Sequence, residues 1–427
     1  MGNSRWMAAA VAGWFLVGGV SAFAQDVELT ICRPGYPERA KAFLEKVLGE
    51  FQKTNPGVKF KIVDADWETF QSRIMVWVAG QQEPDIYVSP MQQFVDLAEL
   101  GAYLPLDQYL DPALKADIPE SLWWDMSRFT GGKGKYLSVA AAASTYTLWY
   151  NKKILAQAGL TRPPKNWDEL VRFGKQIVER TKLPAIGMNA GRPFDTTQLL
   201  FGMLYFSGTN RPFVDTQGRA ILNSPDAVKA VQFWVDLYQK HKITNSSPEQ
   251  TSKGDLRLLF QQGKLAMHID NPGLLPTLAK ITDLRSPETS TFLIGGPFQP
   301  SLSGHRAMNS TDAQQWVISA HTKHPDLAWK VLRYLLEPRW QNEHDRIQGG
   351  APFRASILKS MPIDYAWILK PNAEEASNGL LFSPLIPRSG QFFQVLNKHL
   401  VEALLGQAPV KDALDRAAAE VNKLAGL

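Results

Sequence analysis

Cysteine is nearly missing from this chain: Cys32 is the only one among 427 residues. That excludes an internal disulfide and leaves stability to packing. Cys32 lies in the apolar run "VELTIC" and reads as a buried, inert thiol. An excess of one charge is missing as well. Lys and Arg number 46 against 41 Asp and Glu, and the signs are interspersed, with no basic stripe of the kind that binds nucleic acid. No apolar run is long enough to span a membrane, and there are no internal repeats or low-complexity tracts.

Signatures of catalysis are missing too. There is no GxSxG elbow. None of the Gly-Lys pairs has the upstream glycine and downstream hydroxyl of a phosphate-binding loop. "GGKGKY" (131–136) lacks the third glycine of a dinucleotide fingerprint and reads as a turn. His321 and His324 are three residues apart, but no Glu takes the companion place of a zinc helix, so a capping or surface role is expected. Asp64, Asp66 and Glu68 crowd a strand end as a glycosidase pair would, yet an N-cap and a solvated first helical turn already account for them. No cofactor or metal is expected.

What is present begins with a leader. Arg5, an apolar core over 7–20, and Ala22-Phe23-Ala24 before Gln25 have the layout of a cleaved signal peptide spanning 1–24. No lipid-attachment cysteine follows that core, so a periplasmic protein without a lipid anchor is expected. The remaining chain of roughly 400 residues is too long for one core and predicts two lobes.

The pattern along the chain is α/β. "VELTI" (27–31), "VKFKIV" (58–63) and "PDIYVSP" (84–90) read as strands. Between them lie a helix opened by Pro37, with Ala40, Phe43, Val47 and Phe51 on one stripe, and a helix capped by Asp66. Strands alternating with amphipathic helices predict a parallel sheet with ligand beyond the carboxyl ends of its strands, at 33–36, 64–68 and 89–92. Further on, Asn166 and Glu169 resemble a capping box. Helices are expected after Ser224 and Pro325 and at the C-terminus, and "QQWVIS" (314–319) reads as a strand.

In order and spacing, "FQKTNPGVKFKIV", "QQEPDIYVSP", "LGAYLPLDQYL", "LWYNKKILAQAGLTRPPKNWDEL", "LFQQGKLAMHID", "HPDLAWKVLRYLLEP" and "GAPFRASIL" resemble family 1 of the extracellular solute-binding proteins. These are the maltose-binding-protein-like receptors of ABC importers. The resemblance implies a two-lobed periplasmic-binding-protein fold, each lobe a sheet flanked by helices, with three hinge crossings near 139–143, 267–271 and 310–316. It implies an N-terminal lobe of 25–140 and 273–312 and a C-terminal lobe of 141–272 and 313–427. The implied function is capture of a mono- or oligosaccharide in the interlobe cleft by a monomer, and its delivery to the permease subunits. Carriage of a polyamine or a glycerol phosphodiester on the same fold is the alternative. A secreted carbohydrate-active enzyme is the rival from another class.

A sugar ring needs flat aromatic platforms and polar forks at its rim. The candidate platforms are Tyr36, Trp67, Tyr146 and Phe194, and the candidate polar partners are Glu68, Ser89, Ser144, Asp195, Asp270, Asn271, Asn309, Asp312 and Arg354. "MHIDNPG" reads as a strand that brings Asp270 and Asn271 to the cleft, with His268 facing packing or solvent rather than in a catalytic pair. In "DNPGLL" no ring follows the hinge turn, unlike many members of the family.

Overall fold

The computed structural model describes residues 26–35, 37–127, 129–302, 304–348, 350–360, 365–376 and 379–427. The expected signal peptide and Tyr36 lie outside them. Among the described residues no helix is long and apolar enough to cross a membrane.

Among the described residues nine strands form two sheets: β1 (Val27–Cys32), β2 (Val58–Ile62), β3 (Ile86–Ser89), β4 (Val139–Thr145), β5 (Thr147–Asn151), β6 (Met267–Asp270), β7 (Phe292–Gly295), β8 (Ser310–Ile318) and β9 (Leu380–Leu381). The larger sheet runs β2-β1-β3-β8-β4, with β9 on β8, and the smaller runs β6-β5-β7.

The expected strand–helix alternation builds the first lobe. β1 pairs in parallel with β2 and β3, because a helix returns the chain across the sheet after each strand. The helix Pro37–Thr54 buries Phe43, Val47 and Phe51. The helix Trp67–Ala79 is fixed at its start by Asp66, whose carboxylate accepts from the Thr69 N–H at 2.7 Å. Leu29, Ile31 and Cys32 are fully buried on β1, and burial pushes the Cys32 thiol up to about 12. The thiol is sealed and protonated, in keeping with an inert role.

Two lobe assignments change. Residues 273–312 were expected in the first lobe, but β7 pairs with β5 in the smaller sheet, so most of this stretch belongs to the second. Residues 313–427 were expected in the second lobe, but β8 lies between β3 and β4 in the larger sheet. The helices Pro325–Leu335 and Pro338–Gln348 then pack on the helix Pro37–Thr54, through Phe51 against Tyr334 (5.2 Å) and Phe43 against His344 (5.1 Å). The last two helices, Ser389–Leu404 and Val410–Leu424, return to the second lobe, where Phe392 meets Phe213 at 5.7 Å. An apolar strand fits either sheet equally well, so sequence alone did not fix its partner.

The crossings move with these strands. The first falls at Tyr146, between β4 and β5, and the second between β7 and β8. The stretch 267–271 is not a crossing, because β6 runs antiparallel to β5 within the smaller sheet. The third lies between the helices Pro338–Gln348 and Ser389–Leu404. The expected capping box is also incomplete. Asn166 accepts from the Glu169 N–H at 2.8 Å, but the Glu169 carboxylate turns to Arg162 (2.7 Å) and the Lys165 N–H (3.0 Å).

Candidate functional site

Between the two sheets lies a cavity of about 920 Å³. Its first-lobe wall comes from the carboxyl ends of the three parallel strands: Arg33 and Gly35 after β1, Asp66 and Trp67 after β2, and Ser89 and Gln92 at β3. This is where a parallel sheet leaves space that no crossover helix covers. Gly35 has φ +137°, and a Cβ there would stand 2.9 Å from Arg33 Nη1 and 3.3 Å from Trp67 Nε1. A side chain would therefore crowd both groups. The opposite wall carries Tyr146, Phe194, Asp195, Lys253, Arg257, Asn271 and Phe393, while Asp312 and Gln314 enter from β8.

The aromatic groups are fixed from behind. Half-buried Phe194 meets Phe382 and Phe393 edge-on at 5.0 Å each. Tyr146 is 1% exposed, and its hydroxyl accepts from Lys253 Nζ at 3.2 Å. Trp67 is half-buried at the start of its helix, directly after the Asp66 cap.

The polar floor is an ion cluster. Asp270, fully buried, receives Arg257 in a bidentate fork (Nε to Oδ2 at 2.6 Å, Nη2 to Oδ1 at 2.8 Å). Lys253 Nζ stands 3.7 Å from Asp270 Oδ1, and His268 Nε2 3.1 Å from Oδ2. Burial alone would raise the Asp270 carboxyl, but Arg257 and Lys253 outweigh it and hold the group well below the usual range. Burial holds the His268 imidazole down, in its neutral form. Asn271 accepts from Arg257 Nη2 (3.2 Å) and from the Gly273 N–H (3.1 Å). Across the cavity Arg33, 5% exposed, donates to His344 Nε2 (3.1 Å), Gln314 Oε1 (2.6 Å) and the Pro34 carbonyl. Asp312 lies between the two cationic groups. Burial pushes it up to about 6, against the pull of Lys253 and Arg33.

Of the residues singled out from sequence, Trp67, Ser89, Tyr146, Phe194, Asp195, Asn271 and Asp312 line this cavity. Three others are placed elsewhere. Asp270 lies beneath the wall, with both carboxylate oxygens engaged by Arg257. Asn309 is fully buried and donates to Glu375 at 3.3 Å. Arg354, 3% exposed, donates to Asp117 Oδ2 at 2.7 Å and to the Leu336 carbonyl, and so locks the first lobe. Each of the three is drawn into a buried pairing that its position in the sequence does not reveal. Glu68 stands in the second helical position of its helix and Ser144 opposite Asp312 on β8.

Arg354→Gln is accordingly expected to lower stability by about 1.5–3 kcal/mol, the range for hydrogen bonds to a charged group, while ligand affinity stays unchanged. Denaturant unfolding and equilibrium titration of the variant check this. A loss of affinity with stability intact would contradict the placement.

Sequence reading missed Lys253, Arg257, Gln198, Gln314 and Phe393 as wall residues. A signal was available for the first two. Lys253 and Arg257 sit four apart on a helix that buries Leu256 and Phe260, a spacing that places both cations on one stripe. His321 Nδ1 stands 2.6 Å from Glu83 Oε1.

Residues 35–342 match the family model for bacterial extracellular solute-binding proteins. The chain is 23% identical to a binding protein of Brucella abortus, over 98% of its own length and 99% of that protein. It is 22% identical to the diacetylchitobiose-binding protein of Streptomyces coelicolor, over 87% and 83% of the two lengths. Among solved structures, the cyclic alpha-maltosyl-1,6-maltose binding protein of Arthrobacter globiformis superposes with a TM-score of 0.77 at 22% identity, over 93% of this chain and 98% of that one.

Proposed function

Because the chain belongs to the bacterial extracellular solute-binding protein family, we propose that it is the periplasmic receptor of an ABC importer. It captures a carbohydrate between its lobes and hands it to the membrane permease. One observation carries this reading: a single cavity of about 920 Å³ joins aromatic surfaces from both lobes, Trp67 on one side and Phe194 with Phe393 on the other, to paired cations, carboxylates and amides. Aromatic faces suit the C–H face of a sugar ring, and forks of both polarities suit its hydroxyls. The proposed contacts are Trp67, Ser89, Tyr146, Phe194, Asp195, Asn271 and Asp312, with Lys253 and Arg257 added. Relatives whose names specify a sugar, such as the chitobiose-binding protein, agree with this.

The receptor acts as a monomer exported by a cleaved leader, and it returns its ligand unchanged. Binding free energy shifts an open–closed equilibrium about the crossings rather than a chemical barrier. A polyamine would require converging carboxylates. Asp66, Asp195 and Asp312 line the cavity, but Asp66 caps its own helix and Asp312 is faced by Lys253 and Arg33, so the site is not uniformly acidic.

The test is thermal unfolding of the mature protein against sugars, polyols, polyamines and glycerol phosphates. A ligand at about a hundred times its dissociation constant adds roughly 2.7 kcal/mol to the folded state, a shift of several degrees. Stabilisation by one or two sugars is expected, with no change in the recovered sugar. Stabilisation by polyamines alone, or turnover of the sugar, would overturn the proposal.

The same site predicts a pH dependence. Burial pushes the Asp312 carboxyl up to about 6, so the charge on the acceptor that faces ligand hydroxyls is lost as pH falls through that value. Affinity is expected to drop between pH 7 and pH 5 by about tenfold, the loss of one charge-assisted hydrogen bond. The profile flattens in Asp312→Asn. An equal slope in both proteins would contradict the role given to Asp312.

A further inference from the structure

The helix Ser389–Leu404 belongs to the second lobe, yet its first turn is bonded to the first. Ser389 Oγ donates to the Gln92 carbonyl at 2.7 Å, and the Arg388 N–H donates to Asp96 Oδ1 at 2.7 Å. Ser389 is 1% exposed, so its hydroxyl is committed to this contact. Asp96 stands in the first turn of the helix Phe94–Glu99, directly after β3 and the short turn Met91–Gln93.

Three features make this more than two lobes touching. First, the helix Ser389–Leu404 has no side-chain cap of its own. The carboxylate at its amino end comes from the opposite lobe, where the positive end of the helix favours an anion. Second, Arg388 holds a left-handed backbone, φ 57° and ψ 32°. That conformation is uncommon for a residue other than glycine and persists where surroundings dictate it. Here the Arg388 guanidinium also donates to the Leu424 carbonyl at 3.2 Å. Third, the same short stretch forms the cavity wall. Gly390, Phe393 and Gln394 face the space on one side, and Gln92 faces it on the other. A Cβ on Gly390 would stand 3.7 Å from the Gln92 carbonyl, so the two segments pass in ordinary contact.

We infer that the start of the helix Ser389–Leu404 is a clasp that closes the cleft through two hydrogen bonds to the other lobe, from the Arg388 N–H to the Asp96 carboxylate and from the Ser389 hydroxyl to the Gln92 carbonyl. Opening breaks both hydrogen bonds and strips the helix of its anionic partner, so the clasp weights the equilibrium towards the closed form. Because Phe393 and Gln394 are carried on the same helix, a ligand that holds those side chains also holds the clasp. The interlobe bonds are part of the cleft geometry whatever the ligand is, so the inference can fail while the carbohydrate reading stands, and the reverse.

The experiment measures the distance between the lobes directly. Spin labels are placed at Lys61→Cys on β2 and Lys229→Cys on the helix Pro225–Gln239, both exposed. Cys32 is buried and does not compete for label. The distance distribution is then recorded in the full-length mature protein with and without Asp96→Ala and Ser389→Ala. The paired substitution is expected to move the distribution to longer distances, with the closed fraction reduced about tenfold or more, as the loss of a charge-assisted and a neutral hydrogen bond implies. Asp96→Asn keeps an acceptor and restores most of the closed population. An unchanged distribution in the paired variant overturns the inference, as does an equal shift in Asp96→Asn. Thermal unfolding of each variant verifies that both lobes remain folded.

Discussion

Asp270→Asn is expected to destabilise the protein by about 3–5 kcal/mol, the usual cost of leaving buried charge uncompensated. The substitution keeps the shape of the side chain but removes the charge that holds Arg257 at 2.6 Å and Lys253 at 3.7 Å. Both cations are more than four-fifths buried, so water cannot take the place of the carboxylate. Affinity falls in the same variant, because Arg257 is aimed by Asp270 and in turn donates to Asn271 on the cavity wall. The sign of the pH dependence follows from the depressed carboxyl. Its stabilising contribution is complete above the unfolded value of about 3.9 and is lost as pH falls through the lower folded value. The wild-type protein therefore loses stability in acid more steeply than the variant does. Denaturant midpoints at pH 7 and pH 3 measure both effects. A loss below about 1 kcal/mol at pH 7 would mean that the ion cluster is not a structural support of the floor.

Trp67→Ala is expected to weaken ligand binding by about thirtyfold or more, the size of a central aromatic contact in a desolvated site. Stability should change by only about 1 kcal/mol, since the indole is half-buried and stands at the first turn of its helix rather than in the core. Trp77, on the same helix, is the internal control. Its ring packs edge-on against fully buried Phe70 at 5.8 Å, so Trp77→Ala is expected to cost stability and leave affinity alone. Titration calorimetry and unfolding of the two variants separate these outcomes. An equal affinity loss in both would move the platform away from Trp67.

The contrast between these two tryptophans shows how far the sequence could be read. Trp77 falls on an amphipathic stripe, and Trp67 follows a capping Asp at a strand end, so local spacing alone separated core from cleft. The first-lobe strands were legible for the same reason: each is short, apolar and bounded by turn residues, and the crossover helices force them parallel. Pairing over long range was not legible. β8 read as a strand and β7 was not seen, and which sheet each joins depends on edges that form only when the lobes fold. Buried polar partnerships were hidden in the same way. Arg354 looked like a cleft residue until Asp117, 237 positions away, engaged it. Asp270 was seen at the right place in the chain but one layer too shallow, because the cations that draw it inward lie on the preceding helix.

The central claim is that the space between the lobes holds a carbohydrate and releases it unaltered. The most direct measurement is calorimetric titration of the ligand-free mature protein with the sugar selected by thermal unfolding, followed by recovery of that sugar. The account predicts saturable one-to-one binding, weakened by Trp67→Ala, with the sugar recovered intact. Binding that is indifferent to Trp67→Ala, or a sugar recovered cleaved, would contradict it.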